Sequence, residues 1–86
     1  MVNKKVVIYT TPTCVVCVTV KAFFDKYKIK YKTIDVLKSL EERKKMIDLS
    51  GQMGVPVITI GKDFFVGFDY QTRNNIIELL EIKLNQ

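Results

Sequence analysis

Near the start of this 86-residue chain, Val6-Val7-Ile8-Tyr9 are apolar at every position. Successive side chains of a strand point to opposite faces, so the run from Lys5 to Thr10 presents apolar groups on both. Such a strand must be covered on each side, which restricts the chain to a sheet with helices on its faces. Thr11-Pro12-Thr13 then turns the chain, and Pro12, lacking an N–H, ends the strand pairing. From Cys14 to about Tyr27, Val16, Val20, Phe23, Phe24 and Tyr27 recur at helical spacing. Val15, Val16, Val18, Thr19 and Val20 are β-branched and intrinsically poor helix formers, but length and period outweigh them. Phe23, Phe24 and Tyr27 read as core on that helix.

Lys30 to Val36 alternates like a half-exposed strand. Ser39-Leu40-Glu41-Glu42 is a capping box, with Ser39 as N-cap and both acids suited to the helix dipole. That helix runs to about Ser50 and stops at Gly51, with Leu40, Ile47 and the stem of Arg43 on its covered face. Gln52 to Pro56 is a loop and Val57 to Ile60 a strand. Gly61-Lys62-Asp63 is a tight hairpin connection into Phe64-Phe65-Val66. Gly67-Phe68-Asp69 breaks that strand, and Asp69 is placed to cap a last helix with Ile76, Ile77, Leu80 and Leu84 on one stripe. It ends in a polar Asn85-Gln86 tail.

The order is β-α-β-α-β-β-α, without repeats or low-complexity stretches, so residues 1–86 form one domain with a modest core. Two β-α-β crossings imply parallel pairing and the hairpin adds an antiparallel pair. The expected fold is α/β: a four-stranded mixed sheet flanked by three helices.

The chemistry centres on Cys14 and Cys17, the only cysteines, spaced C-x-x-C at the first strand-to-helix junction. Free backbone N–H groups and the positive end of the helix dipole converge there and favour a thiolate. Cys17 falls about one turn deeper, close enough to attack the first sulfur. This arrangement suits thiol–disulfide exchange. Metal binding is the second chemistry open to it, but C-x-x-C supplies two thiolates where a closed zinc site wants four ligands, and the chain has no His. A zinc or iron–sulfur site would need a dimer or glutathione as an extra ligand. Two further readings, a buried apolar cysteine pair and a non-catalytic peptide-binding module on the Val55-Pro56 edge, leave the C-x-x-C motif without a purpose.

Composition is that of an ordinary globular protein, 48% hydrophobic and 27% charged. No apolar run approaches the roughly 18–20 residues of a membrane span. The Met1–Lys5 start lacks the apolar length and cleavage site of a signal peptide, so a cytoplasmic protein is expected. The net charge of +5, from 14 Lys and Arg against 9 Asp and Glu, is spread over several segments. It comes with no groove-reading motif, which argues against nucleic acid and suits an acidic protein or an anionic thiol.

Three motifs carry a resemblance over essentially the whole chain: Tyr9-Thr10-Thr11-Pro12-Thr13-Cys14-x-x-Cys17, Ser50-Gly51-Gln52-x-x-Val55-Pro56 and Val66-Gly67-Phe68-Asp69. In this order they resemble the glutaredoxins of the thioredoxin fold, most of all the small bacterial glutaredoxin-like proteins. The resemblance implies that Cys14 is the exposed nucleophile and that Cys17 resolves the mixed disulfide. It implies a cis proline at Pro56, with the backbone of Val55 offered to an extended substrate. It places Gly67 and Asp69 where the family receives the γ-glutamyl end of glutathione, at a helix N-terminus suited to an anion. Thr11, Pro12, Thr13 and Phe68 complete the implied substrate-binding set; no metal ligand is implied.

Departures from the family pattern bear on the reductant. Val15-Val16 replaces the frequent Pro-Tyr between the cysteines. Thr11, with only a hydroxyl, replaces a lysine that helps bind the glycine carboxylate of glutathione. Val66-Gly67 replaces a Gly-Gly pair, and Phe68 is similar to the ribonucleotide-reductase redoxins, which take electrons from thioredoxin reductase.

The implied function is reduction of protein or low-molecular-weight disulfides by a monomer with no tightly bound cofactor and glutathione as co-substrate. The alternatives are a redoxin served by thioredoxin reductase and an iron–sulfur-binding dimer. Activation of Cys14 must be electrostatic, from Thr11, Thr13 and the helix N-terminus, with Lys21 a solvated lysine and Asp25 and Asp35 surface charges.

Overall fold

The computed structural model describes residues 5–52 and 54–81. The elements are β1 (Val6–Thr10), α1 (Val15–Lys26), β2 (Lys32–Asp35), α2 (Leu40–Ser50), β3 (Val57–Ile60), β4 (Asp63–Val66) and α3 (Tyr70–Leu80). The strands form one sheet in the order β2-β1-β3-β4. β1 runs parallel to β2 and antiparallel to β3, and β3 pairs antiparallel with β4.

All five residues of β1 are buried, as its unbroken apolar run requires. Val6 and Ile8, with Ile58 and Ile60 of β3, face Val20, Phe23 and Phe24 of α1 and Ile76 and Leu80 of α3. Val7, Tyr9 and Val57 pack on the other face with Val36 and Met46, so among the described helices α2 covers that side. The expected mixed sheet with three helices is therefore present. Its second crossing differs from expectation, because β3 does not add a second parallel pair. It lies on the far edge of β1, starting beside the end of that strand with Val57 opposite Tyr9. The six residues Gly51–Pro56 can reach roughly 20 Å when extended, enough to return the chain to that end of the sheet.

Local signals hold with two shifts of phase. Ser39 accepts the N–H of Glu42 at 3.2 Å, and Gly51 ends α2 at φ 75°, a left-handed turn that glycine adopts without strain. Leu40 is not on the covered face: it is 75% exposed, and Met46, fully buried, holds that place with half-buried Ile47. On α1 the inward residue of the first turn is Cys17, while Val16 is exposed. One residue of helix rotates a side chain by about 100°, so two adjacent apolar residues leave the stripe's phase open. β3 and β4 turn through Gly61 and Lys62, with Gly61 at φ 61° as a primed two-residue turn needs. Leu84, Asn85 and Gln86 lie outside the described residues. No helix among the described residues is long and apolar enough to cross a membrane.

Candidate active site

The sheet brings three separate loops to one end. β1 finishes there and leads into Thr11–Cys14, β3 starts there after Pro56, and β4 finishes there before Gly67. The backbone N–H of Gly67 donates to the carbonyl of Pro56 at 2.9 Å, tying the second and third loops together. The Val55-Pro56 bond is cis, as the resemblance implies, and Pro56 is buried.

Cys14 is the N-cap of α1, extended at φ −81° and ψ 109°. Its backbone N–H donates to the carbonyl of Thr11 at 3.3 Å, and its Sγ accepts the N–H of Cys17 at 3.1 Å. An N-cap normally offers an oxygen to a free N–H of the first turn. Here a sulfur takes that role, so the dipole and an amide act on the same atom. Cys14 and Cys17 are joined as a disulfide with Cα atoms 5.2 Å apart. The two residues differ in access: Cys14 is half-buried and Cys17 only 1% exposed.

Pro12 and Thr13 are exposed and Thr11 half-buried on the rim beside Cys14. Among the described residues, the hydrogen bond recorded to Cys14 Sγ comes from the Cys17 backbone, and none comes from the Thr11 or Thr13 hydroxyl. The helix terminus therefore acts on Cys14 Sγ through a direct amide contact. Thr10, the buried last residue of β1, donates its hydroxyl to the Thr11 carbonyl at 3.2 Å. The burial of Thr10 comes from β1 lying between β2 and β3, which no local pattern around Thr10 shows.

Gly67 takes φ 79°, which disfavours any side chain, although a Cβ there would meet open space. Asp69 caps α3, accepting the N–H of Thr72 at 2.8 Å. That backbone bond, then the Thr72 side chain, holds the Asp69 carboxyl below the usual carboxylate range. Phe68 is half-buried against Phe23, with ring centroids 5.4 Å apart, so its ring faces α1. Phe64 is exposed and Phe65 packs into the core, in keeping with their opposite faces.

Asp25 and Asp35 have local partners: Asp25 accepts the hydroxyl of Tyr31 at 3.0 Å and Asp35 the N–H of Leu37 at 2.9 Å. Burial first, then the bond to Asp25, pushes the Tyr31 phenol up. Val15 and Val16, which replace the frequent Pro-Tyr pair between the cysteines, are exposed apolar surface beside Cys14. A C-x-x-C motif that buries its second cysteine turns the intervening residues outward.

The Glutaredoxin family model matches residues 6–65. An uncharacterized glutaredoxin-like 8.6 kDa protein in the rubredoxin operon of Clostridium pasteurianum is 38% identical over 71 residues, covering 83% of this chain and 95% of that protein. Among solved structures, the glutaredoxin from Brucella melitensis is 31% identical, with a TM-score of 0.71 over 88% of this chain and 87% of that one. A thioredoxin-like protein is 26% identical, with a TM-score of 0.75 over 84% and 99% of the respective chains.

Proposed function

The chain belongs to the glutaredoxin family of thiol–disulfide oxidoreductases, and from that premise we propose that it reduces disulfides by dithiol exchange at Cys14 and Cys17 in a reducing, cytoplasmic setting. The observation that carries this reading is the asymmetry of the pair. Cys14 is half-buried and its Sγ receives an amide at a helix N-terminus, while Cys17 is buried.

In the reduced protein the Cys14 thiolate attacks one sulfur of the substrate disulfide. A Cys14–substrate bond forms, the substrate S–S bond breaks, and the first substrate sulfur leaves as a thiolate that takes a proton from water. Cys17 then gives up its proton to water and attacks Cys14 Sγ. The mixed disulfide breaks, the second substrate thiol leaves, and the protein keeps the Cys14–Cys17 disulfide. Two electrons have moved from protein to substrate, and two reductant thiols restore the dithiol by the same steps in reverse. Val55 beside Pro56 would offer backbone to an extended substrate, with Thr11, Pro12 and Thr13 on the opposite rim.

Glutathione, the family's usual thiol, would meet Gly67 and the amides at the start of α3, where Phe68 and Asp69 lie. A second reading has support of its own. Thr11 brings no charge for a glycine carboxylate, and half of the usual glycine pair is Val66, 40% exposed. Both features favour reduction by a protein dithiol such as thioredoxin reductase.

The test is NADPH consumption with a low-molecular-weight disulfide in two couplings, one with glutathione and glutathione reductase, the other with thioredoxin reductase alone. Turnover confined to the first assigns Gly67 and Asp69 to glutathione. Turnover confined to the second makes them structural, and silence in both removes the exchange reading.

A further inference from the structure

α1 and the start of α3 enclose a groove of about 400 Å³. Thr19, Ala22, Phe23 and Lys26 of α1 line it, facing Phe68 and, on α3, Arg73. Val15, Thr19, Ala22 and Lys26 are spaced as one stripe of α1 that begins beside Cys14 and ends at the groove. Eleven residues of helix cover roughly 16 Å, a distance that about five extended residues match. The stripe opens on uncovered apolar surface: Val15 is 78% exposed, and Tyr70 on the α3 side 77%.

The charges lining the groove are mostly cationic. The Arg73 guanidinium lies over the Phe23 ring, 5.4 Å from its centroid, and the Lys26 ammonium is 5.5 Å from that of Tyr27. Stacking steadies a guanidinium plane and leaves its edge N–H groups for a carboxylate. Among the described residues the recorded ion pair is Lys45 with Glu42, so neither Lys26 nor Arg73 has a carboxylate at that range. The acid in the same lining, Asp69, is already engaged in capping α3. The groove thus joins an aromatic lining to two available cations, on a chain of net charge +5.

The geometry points to this groove as the docking track for an acidic segment of a disulfide-bearing protein substrate. An aromatic or branched apolar side chain of the segment lies against Ala22 and half-buried Phe68, and its carboxylates meet Lys26 and Arg73. The sulfur under attack sits at Cys14 and the flanking residues follow the α1 stripe. The partner's identity as a substrate rests on the exchange reading; the docking itself rests on the groove.

Two fluorescein-labelled ten-residue peptides test it by anisotropy with the oxidised full chain, one with several Glu around a Phe, the other with Lys for each Glu. The acidic peptide binds and the basic one does not, and raising salt from about 50 to about 300 mM weakens the binding. Lys26→Glu and Arg73→Glu each cost the acidic peptide about tenfold in affinity. The double reversal transfers preference to the basic peptide, which a merely misfolded variant would not do. Equal binding of both peptides, or indifference to the reversals, overturns the proposal. So does an oligothymidine that binds as tightly as the acidic peptide and displaces it, since the groove would then take polyanions in general. In parallel, the acidic peptide carrying a cysteine disulfide is reduced with a higher kcat/KM than the basic one. If no disulfide is reduced while binding and its reversal persist, the exchange reading and the substrate identity fall and the docking stands.

Discussion

A single atom, Cys14 Sγ, carries the chemistry, and its environment is built almost wholly from backbone. It accepts the Cys17 N–H at the terminus of α1, so side-chain substitutions around it act on the nucleophile only indirectly. Cys14→Ser is expected to abolish disulfide reduction, whereas Cys17→Ser still attacks and accumulates a Cys14 mixed disulfide, visible by mass spectrometry as one added substrate half. A trapped adduct on Cys17 in Cys14→Ser would reverse the assigned roles. In the reduced protein the Cys14 thiol should ionise below the ordinary value of about 8.5, read from thiolate absorbance against pH. Asp69 gives a second residue-scale expectation. Its carboxyl is lowered from the usual 3.8 by the Thr72 N–H, then by the Thr72 side chain. A carboxyl depressed on folding stabilises the fold above its unfolded pKa and loses that contribution as pH falls through the folded one. Asp69→Asn keeps a capping oxygen without the charge, so its loss of stability from about pH 5 to about pH 2 should be shallower than that of the natural protein. Parallel acid-unfolding curves would remove this role. The cysteines and the Asp69 cap were legible because each is written in three or four adjacent residues. The burial of Thr10 and the Gly67–Pro56 bond were not, since both depend on strands far apart in sequence.

Elements show how patterning overrides propensity. Five of the first six residues of α1 are Val or Thr, yet the segment is helical because Cys17, Val20, Phe23 and Phe24 are all buried on one side. The β-branched residues on the open side contribute little to offset their poor helix propensity. Val18 is 62% exposed, so Val18→Ala should stabilise the protein by about 0.5 kcal/mol, measured by denaturant midpoint. A destabilisation would mean that Val18 makes packing contacts its exposure does not reveal. Ser39→Ala should do the opposite and cost about 1 kcal/mol, since it leaves the Glu42 N–H without its cap. Boundaries and caps were legible to within a residue or two for this reason: they answer to local hydrogen bonding. The phase of each buried stripe was less so. Leu40 sits outside and Met46 inside because the placement of α2 on the sheet, and not hydrophobicity alone, selects the inward residues.

At the scale of the molecule, sequence order showed that helices and strands alternate but not which edge of β1 each later strand would take. A β-α-β pattern leaves the direction of its second strand open when a loop as long as Gly51–Pro56 follows the helix, and β3 used that freedom to pair antiparallel. The result is a sheet whose central strands serve both layers. Val6 and Ile8 of β1 face α1 and α3, while Val7 and Tyr9 face α2, and Val57 and Ile58 of β3 divide in the same way. Neither layer can lose its packing without exposing the back of a strand on which the other depends. The site shares this dependence, because Thr11–Cys14 follows β1 and Pro56 precedes β3, with Gly67 tied to Pro56 by its backbone N–H. Met46→Ala, a cavity on the α2 side only, is expected to cost about 2–5 kcal/mol and to lower the thermal midpoint by at least about 10 °C. The loss should appear as one transition, with far-ultraviolet circular dichroism and the ring NMR signals of Tyr27 and Tyr31, which pack on the opposite layer, moving together. Separate midpoints would show that α1 and α3 hold their side of the sheet without α2, and would leave the redox site anchored to that half alone.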